Sequence, residues 1–431
     1  MTDAEAFLLD LPRFADAGAS AYTPGLDRVR ALLAAMGDPH VGLPVVHVAG
    51  TNGKGSTASF VAAIGTASGR RMGLHTSPHL LTLRERMRID GVPASVDWLA
   101  DAVGRYDGAL REVGPSFFEA TVALSLLYFR EQAVDLAAVE VGLGGRLDAT
   151  AVVEPVVCLV THIGMDHTDL LGDTLADIAR EKAGIAKAGV PFLHAVPDEE
   201  ARAALEAEAR RRDAPIEAVR ETVRLGPDAD GIRVITEAGS VGPVQIGLAG
   251  EHQAWNAALA VRAAEIAMPG VNRQSTERGL REVVRLAGIR GRGERWSGDR
   301  RIALDVAHNA EGLGRAFEAG LHTGGLGTGW LLLGVMADKD IREFVRSRLG
   351  DGDVRVLAVD LPTPRALPAA DLARLVTEAG GVAEVVPSVA EGLTRFRRDA
   401  GPHDRLLVTG SHVTVAEALR ALGEDAEPTP R

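Results

Sequence analysis

Residues 45–57 read VVHVAGTNGKGST, and this stretch predicts the unit around which the fold is built. The apolar residues before Gly50 suit a strand that is buried on both faces of a parallel sheet. Glycines and a lysine follow, and the apolar periodicity of residues 56–67 then predicts a helix. Such a turn lets backbone N–H groups approach phosphate oxygens, while Lys54 and the helix N-terminus favour an anion. The stretch therefore predicts a phosphate loop whose natural ligand is a nucleoside triphosphate.

The loop departs at two positions from the general phosphate-loop pattern GxxxxGK[ST]. With Gly53 and Lys54 as the G-K pair, the pattern has glycine where Val48 stands and serine or threonine where Gly55 stands. The second departure removes the hydroxyl group that normally binds Mg²⁺. Another residue must then supply that ligand, or the metal is held in a different way.

Composition narrows the possible classes of protein. The 431 residues leave room for two or three domains, and a hydrophobic content of 46% is ordinary for a globular protein with a core. A net charge of −12 argues against broad nucleic-acid binding. The acidic N-terminus lacks a signal-peptide pattern and no run of eighteen apolar residues occurs, so we expect a cytoplasmic protein that does not enter the membrane. The single cysteine, Cys158, lies in an apolar run and is interpreted as a buried core thiol.

The order of predicted strands and helices indicates an α/β protein with two domains. Residues 1–288 are predicted to form a phosphate-loop-type, mostly parallel sheet flanked by helices. The arginine- and glycine-rich residues 289–298 lack periodicity and are the candidate linker. Residues 299–431 are predicted to form a smaller, Rossmann-like α/β domain. The strands expected there lie at about 301–305, 330–335, 354–359 and 405–408.

A lysine on an apolar helix face is the least expected feature of the first domain. Lys182 shares the i, i+3, i+4 spacing of one face with Leu175, Ile178 and Ala179. A charged amine among these residues is costly, so it should be paired, lose its proton or be chemically modified. The alternative is that its stem packs against the core while the ammonium group reaches solvent.

Two further charged residues each allow a structural and a functional interpretation. Arg86, in the stretch LTLRERMRIDG, either belongs to a solvated charged strand or holds an anionic substrate. Glu140 ends an apolar run, and an acid at the carboxyl end of a parallel strand faces the crevice where ligands bind. The VGLGGRLDA that follows is not a dinucleotide fingerprint, because Leu147 stands where the third glycine belongs. A dehydrogenase is therefore disfavoured.

A series of motifs then points to one family. They occur along the chain in the order GTNGKGS, TSPHL, EVGLGGRLDAT, MDHT followed by REKAGI, HQxxNAA, GR, DVAHN, DKD and TGS. With these motifs the chain resembles folylpolyglutamate synthase/dihydrofolate synthase, of the Mur-type ligase superfamily, over about residues 20–415. The resemblance implies an ATP-dependent ligase that adds L-glutamate to dihydropteroate or to the γ-carboxylate of a reduced folate. The implied route is an acyl phosphate, with ADP and phosphate as products.

The resemblance also implies roles for individual residues, with two Mg²⁺ ions and room for a monovalent cation. Ser77 and Glu140 are implied ligands of the first Mg²⁺, and His167 with Glu140 of the second. Lys182 matches the lysine that is carbamylated in this family, and Lys54, His167 and Lys182 are the expected catalytic residues. The implied ATP contacts are Gly50, Thr51, Asn52, Gly53, Lys54, Gly55, Ser56, Asn256, Arg292, Asp305 and His308. The acceptor contacts, with Arg86 added from the argument above, are Thr23, Pro24, Gly25, Ser116, Phe117, Phe118, Glu119, Leu147, Asp148 and Ala149.

Three hypotheses for the function remain open. The first is a monomeric glutamate ligase acting on dihydropteroate and reduced folates. The second is a related amide ligase with another carboxylate acceptor, because Thr23, Pro24 and Ala151 depart from the family's usual residues, as Ala310 also does in the second domain. The third is a nucleotide switch, which is disfavoured because residues 337–340, ADKD, lack the asparagine of a guanine signature.

Overall fold

The computed structural model describes residues 2–13, 25–228, 230–321 and 327–424. It divides into two compact units. The first comprises Met1–His79, Leu83–Gly247 and Gln253–Ile289, and the second Leu80–Thr82, Leu248–His252 and Arg290–Arg431. The second unit thus takes two short segments from earlier in the chain, which no sequence pattern indicates.

The first unit contains one large and one small sheet. Its strands are β1 (Val45–Ala49), β2 (Met72–His75), β3 (Met87–Ile89), β4 (Val92–Pro93), β5 (Leu136–Glu140), β6 (Pro155–Val160), β7 (Phe192–His194), β8 (Ile216–Ala218), β9 (Arg224–Asp228), β10 (Gly231–Thr236) and β11 (Gly239–Val244). The large sheet has the order β4-β3-β2-β5-β1-β6-β7-β8, parallel from β2 to β8 with β3 and β4 antiparallel at one edge. The strands β9 to β11 form a separate antiparallel sheet.

Helices surround the large sheet as its double-sided burial requires. They are α1 (Asp3–Leu9), α2 (Asp27–Ala35), α3 (Lys54–Ala67), α4 (Val96–Arg105), α5 (Asp107–Val113), α6 (Phe117–Glu131), α7 (Thr168–Leu171), α8 (Leu175–Ala183), α9 (Glu199–Arg211), α10 (Val219–Thr222), α11 (His252–Ala267), α12 (Arg273–Arg281) and α13 (Val283–Ala287), with 3₁₀ helices at Leu83–Arg86 and Ala149–Val152. Every residue of β1 and β5 is buried. The near-continuous apolar strands are those expected of a parallel sheet covered on both faces, so the predicted fold class is confirmed.

The arginine-rich stretch after β2 is not a solvated strand, and that interpretation is wrong. Residues Leu83–Arg86 form a 3₁₀ helix that leads into β3, and Arg84, Arg86 and Arg88 are all buried. The charges are tolerated because each guanidinium group has a partner, as in the contact of Arg84 Nε with Glu5 Oε1 at 3.4 Å.

The second unit is a six-stranded sheet, counted over the residues that the structure describes, with helices on both faces. Its strands are β12 (Arg292–Arg295), β13 (Ile302–Asp305), β14 (Gly329–Leu333), β15 (Val354–Val359), β16 (Val382–Val386) and β17 (Arg405–Thr409), and its helices are α14 (Ala310–Leu321), α15 (Arg342–Arg348), α16 (Ala369–Glu378), α17 (Val389–Asp399) and α18 (His412–Ala421). The order is β12-β13-β17-β14-β15-β16, with only β12 antiparallel among these strands. Residues 289–298, expected to be an irregular linker, therefore contain an edge strand.

No helix in the described part of the chain combines the length and the apolar character that crossing a bilayer requires.

Candidate active site

The phosphate loop joins β1 to α3 through two glycines with positive φ. Gly50 has φ 146° and Gly53 has φ 90°, a conformation that side chains disfavour. A Cβ atom at Gly53 would lie 2.5 Å from Asn256 Oδ1, so a side chain here would have to displace that amide group. The helix α3 begins at Lys54, whose Nζ donates a hydrogen bond to Thr51 O at 3.1 Å. Asn52, Gly55 and Ser56 lie in the same turn and first helical turn.

Thr51 connects the phosphate loop to the loop that follows β6. Its N–H donates to His162 O at 2.6 Å, and its hydroxyl both donates to Gly164 O and accepts from Gly164 N, each at 3.1 Å. The hydroxyl of Thr161 donates to Asn52 O at 2.7 Å. The backbone of the phosphate loop is therefore held by the segment that leads to His167. Thr161 was not among the predicted residues, because nothing in a lone threonine after a strand identifies it.

Lys182 is buried against the phosphate loop. The residue is 5% exposed, and its Nζ donates a hydrogen bond to Gly50 O at 3.0 Å. Burial, and then the positive charge of Lys54, lower the pKa of this amine to about 7, although Asp166 and Asp148 oppose the shift. The interpretation in which the ammonium group reaches solvent is therefore wrong. Asp166 was also missed, although the MDHT motif contains it.

Glu140 and Ser77 lie side by side at the carboxyl edge of the large sheet. Glu140 ends β5, is 3% exposed, and accepts a hydrogen bond from Ser77 N at 3.0 Å through Oε2. Ser77 follows the neighbouring strand β2, which explains why two residues far apart in sequence meet. A carboxylate and a hydroxyl are hard oxygen ligands of the kind that Mg²⁺ binds.

The oxygen atoms of Glu140 and Ser77 suit Mg²⁺ better than a metal ion that takes all of its ligands from the protein. Across the described ranges, no three His, Cys, Asp or Glu side chains converge to hold a metal ion. Mg²⁺ is typically bound by one or two carboxylates with waters and substrate phosphates completing the shell, which is what Glu140 beside a phosphate loop offers. His167 precedes α7 with φ 52°, and its N–H donates to Asp166 Oδ1 at 2.9 Å.

Arg86 is a buried guanidinium group close to Glu140. Its Nε donates to His79 Nδ1 at 3.0 Å, and the guanidinium lies 4.8 Å from the centre of the Phe117 ring. Burial lowers the pKa of Arg86 to about 10, while the charge of Glu140 opposes the shift. The group still carries its charge at neutral pH, as binding an anion requires.

The predicted acceptor residues at the start of α6 have a clear structural role. Ser116 and Glu119 form a capping box, in which Glu119 Oε2 accepts from Ser116 N and from Ser116 Oγ, each at 2.8 Å. The same carboxylate accepts from Arg28 Nε at 3.1 Å. These contacts fix the helix start, and with it the rings of Phe117 and Phe118.

The loop between β5 and the 3₁₀ helix Ala149–Val152 is organised by Asp148. Its Oδ2 accepts from Leu143 N at 2.9 Å, and its Oδ1 accepts from Thr150 N at 3.0 Å. Burial raises the pKa of this carboxyl group, and these hydrogen bonds oppose the shift. Leu147 and Ala149 flank it. Among the other predicted contacts, Gly25 has φ 139°, whereas Thr23 and Pro24 lie outside the described residues.

Asn256 reaches the phosphate loop from α11. Its Nδ2 donates to Gln253 Oε1 at 2.9 Å, and Gln253 Nε2 donates to Ser56 Oγ at 3.4 Å. Gln253 therefore orients Asn256 and contacts α3. Gln253 is part of the HQxxNAA motif, but the spacing of the motif alone does not reveal this role.

The remaining predicted ATP contacts belong to the second unit. Arg292 of β12 lies opposite Asp305 of β13, and its charge opposes the burial that raises the pKa of that carboxyl group. Asp305 Oδ1 accepts from Ala307 N at 2.8 Å, and His308 Nδ1 donates to Val306 O at 3.0 Å. The three residues thus form one group at the end of β13.

Comparison with known proteins gives the class first. Residues 48–264 match the Mur ligase middle domain, and residues 291–412 match the Mur ligase glutamate ligase domain. The folylpolyglutamate synthase of Lacticaseibacillus casei is 32% identical over 436 residues, covering 97% of each chain. The chain spans about half the length of the first curated relatives that it matches, 49% and 51%.

Solved structures agree with this class. E. coli FolC in complex with DHPP and ADP superposes with a TM-score of 0.86 at 27% identity, covering 98% of each chain. A bifunctional folylpolyglutamate synthase/dihydrofolate synthase with Mn, AMPPNP and L-glutamate bound superposes with a TM-score of 0.84 at 26% identity, again covering 98% of each chain. The chain belongs to the folylpolyglutamate synthase/dihydrofolate synthase family of Mur ligases.

Proposed function

We propose that this chain is an ATP-dependent ligase that joins L-glutamate to dihydropteroate and to reduced folates. The observation that carries the proposal is the amine of Lys182, buried against the phosphate loop at 3.0 Å from Gly50 O. A nucleotide switch has no need of such a costly buried amine, whereas a carbamylated lysine at this place is what the family resemblance implies for a ligase. Family membership and the ligands of the two superposed structures support the same activity.

The proposed reaction has two steps. A carboxylate oxygen of the acceptor attacks the γ-phosphorus of ATP, and ADP leaves to give an acyl phosphate. The amine of glutamate then attacks the acyl carbon, phosphate leaves, and the amine loses a proton as the amide forms. Lys54 and the N–H groups at the start of α3 stabilise the phosphate charge in both steps.

We further propose that Glu140 and the hydroxyl of Ser77 hold one Mg²⁺, and that Glu140 and His167 hold a second. Bound there, Mg²⁺ supplies charge neutralisation at the phosphates. Glu140 is buried and already contacts Ser77 N, so its orientation is set before any ligand arrives. We propose two Mg²⁺ ions and a monovalent cation in total, and titration with each metal would give the number of ions bound per chain.

Lys182 is proposed to carry a carbamate. The neutral amine attacks CO₂, a C–N bond forms, and one proton is released to give a carboxylate on the lysine. A pKa of about 7 leaves a substantial neutral fraction of the amine at physiological pH. The positive charge of Lys54 attracts this new negative charge, whereas it repels the protonated form of the unmodified amine.

The acceptor is proposed to bind between α6 and the Asp148 loop. Phe118, which is partly exposed, is proposed to offer aromatic surface for a pterin ring next to the buried Phe117, and Asp148 to offer a carboxylate for its N–H groups. Arg86 is proposed to hold a substrate carboxylate, because its guanidinium group stays charged although buried.

The experiment is an acceptor test with purified protein, ATP, Mg²⁺ and L-glutamate. We expect continuous ADP release only when glutamate and either dihydropteroate or a tetrahydrofolate are both present, at most one ADP per enzyme when glutamate is omitted, and none from Lys54→Ala. ADP release with ATP and Mg²⁺ alone would favour the hypothesis of a nucleotide switch. Release that needs a different carboxylate would favour a related amide ligase. A single sedimentation peak at the mass of one chain, 45.3 kDa, would support the proposed monomer.

A further inference from the structure

Two buried histidines lie at the same level of the large sheet. His47 of β1 and His75 of β2 are both paired with Val139 of β5, so their side chains share one face. They are 0% and 1% exposed, and burial lowers the pKa of each to about 3. Both rings are therefore neutral at pH 7, each with one N–H donor and one acceptor nitrogen.

The hydrogen bonds of His47 lead to the acceptor loop. The hydroxyl of Thr150 donates its only proton to Asp148 Oδ1, at 2.5 Å. Thr150 Oγ1 also lies 2.9 Å from His47 Nε2. Since the hydroxyl proton is already used, the imidazole must be the donor, and His47 carries its proton on Nε2. A chain of two hydrogen bonds thus runs from β1 to the carboxylate of Asp148.

The hydrogen bonds of His75 end elsewhere. Its Nδ1 lies 2.8 Å from Ser125 Oγ, and Ser125 donates its proton to Thr121 O at 2.7 Å. By the same reasoning His75 carries its proton on Nδ1, and its chain ends on the backbone of α6. His75 is equally buried and has no connection to Asp148, but its ring centre lies 6.2 Å from that of Phe118, a proposed acceptor residue, so it does not serve as a control for acceptor binding.

We infer that His47 is a positioning residue for the acceptor, because its Nε2–H fixes the hydroxyl of Thr150 and through it the carboxylate of Asp148. The inference rests on the proposed function, which assigns Asp148 to acceptor binding. His47 lies on the strand that leads to Gly50, so one rigid strand sets both the phosphate loop and the acceptor loop. This links the place of the acceptor carboxylate to the place of the γ-phosphate.

The kinetic test compares four single variants and one double variant. His47→Phe fills the ring volume without a donor, His47→Gln returns an N–H near the position of Nε2, and Thr150→Val breaks the chain at its middle. The control is His194→Phe, at a buried histidine of β7 that pairs with β6 and β8. We expect His47→Phe and Thr150→Val each to raise the acceptor KM about tenfold, the effect of one hydrogen bond, with the ATP KM within about twofold. His47→Gln should recover most of the acceptor affinity. The double variant His47→Phe/Thr150→Val should raise the acceptor KM little beyond the rise in either single variant.

A spectroscopic test does not depend on the acceptor. Long-range ¹H–¹⁵N spectra of histidine-labelled protein should show His47 as the Nε2–H tautomer and His75 as the Nδ1–H tautomer. His47 in the other tautomer would overturn the inference, as would an unchanged acceptor KM in Thr150→Val. An equal rise of the acceptor KM in His194→Phe would show general core damage instead of positioning. Failure of the wild-type protein with every pterin acceptor would contradict the proposed function, while the tautomer result would still decide on the hydrogen-bond chain.

Discussion

The amine of Lys182 donates a hydrogen bond to the carbonyl oxygen of Gly50, 3.0 Å away, at the turn where the phosphate loop begins. Lys182 belongs to α8 and Gly50 directly follows β1, and the two residues are 132 positions apart in sequence. Any change in the charge of this amine is therefore felt at the position where the phosphates of ATP are expected.

Lys182→Ala should be nearly inactive and partly rescued by added formate or acetate. The small carboxylate can occupy the space of the proposed carbamate, which Lys182→Glu should replace less well because its stem is shorter. The measurement is ADP release against carboxylate concentration. Lys187→Ala is the control, since Lys187 donates to Ala151 O and should show no rescue. An active Lys182→Ala protein without added carboxylate would contradict the carbamate proposal.

The stability of unmodified protein should depend on pH through Lys182. Its pKa is about 7 in the folded protein against 10.5 for a free lysine, so the unfolded state binds more protons between these values. Burial of the amine therefore lowers the free energy of unfolding by its full amount below about pH 7. This penalty shrinks as the pH rises toward about 10.5. Urea unfolding in CO₂-depleted buffer should find Lys182→Met more stable than wild type at pH 6, with a smaller difference at pH 9. A difference that does not change with pH would count against the shifted pKa.

Ser77→Ala should raise the Mg²⁺ concentration for half-maximal activity about tenfold, the equivalent of one lost ligand interaction. The reason is that Gly55 offers no substitute hydroxyl, whereas the backbone contact of Ser77 with Glu140 survives the change. A magnesium titration measures the effect. Ser68→Ala removes a hydroxyl that binds only backbone and Arg70, and should leave the titration unchanged.

Thr51→Val should weaken ATP binding and lower the free energy of unfolding by about 1–2 kcal/mol. The substitution keeps the shape of the side chain but removes both hydrogen bonds to Gly164, which tie the phosphate loop to the segment before His167. Thr51→Ser keeps the hydroxyl and is the matched control. Equal ATP affinity in the two variants would show that the connection has no effect on the loop.

Glu119→Ala should destabilise the fold by about 2 kcal/mol, because it removes a helix cap and leaves Arg28 without its carboxylate. Urea unfolding measures the loss, with the exposed Glu112→Ala as control. If stability is unchanged while the acceptor KM rises, Glu119 binds the acceptor directly and its structural contacts are secondary.

The sequence predicts the phosphate loop and much of the order of strands and helices from local patterns, and it places Lys182 on an apolar helix face without deciding whether its amine is buried. Strand, turn and helix at residues 45–67 follow from apolar periodicity and glycine spacing, which report nearest neighbours along the chain. The buried arginines after β2 do not follow, because their burial depends on carboxylates such as Glu5 that come from distant segments. For the same reason, no periodicity reveals the link from His47 to Asp148. Strand β16 was also missed, since most of its residues are exposed and its alternation is weak.

His167 has φ 52° and ψ 41°, a left-handed backbone conformation at the start of α7. A side chain in this region costs about 1 kcal/mol that glycine does not incur, and asparagine tolerates it better than most residues. Directed evolution for heat resistance alone should therefore favour glycine or asparagine at this position. Libraries built from this chain therefore need an activity screen in the same round, because the most heat-resistant clones should include some in which His167 has been replaced.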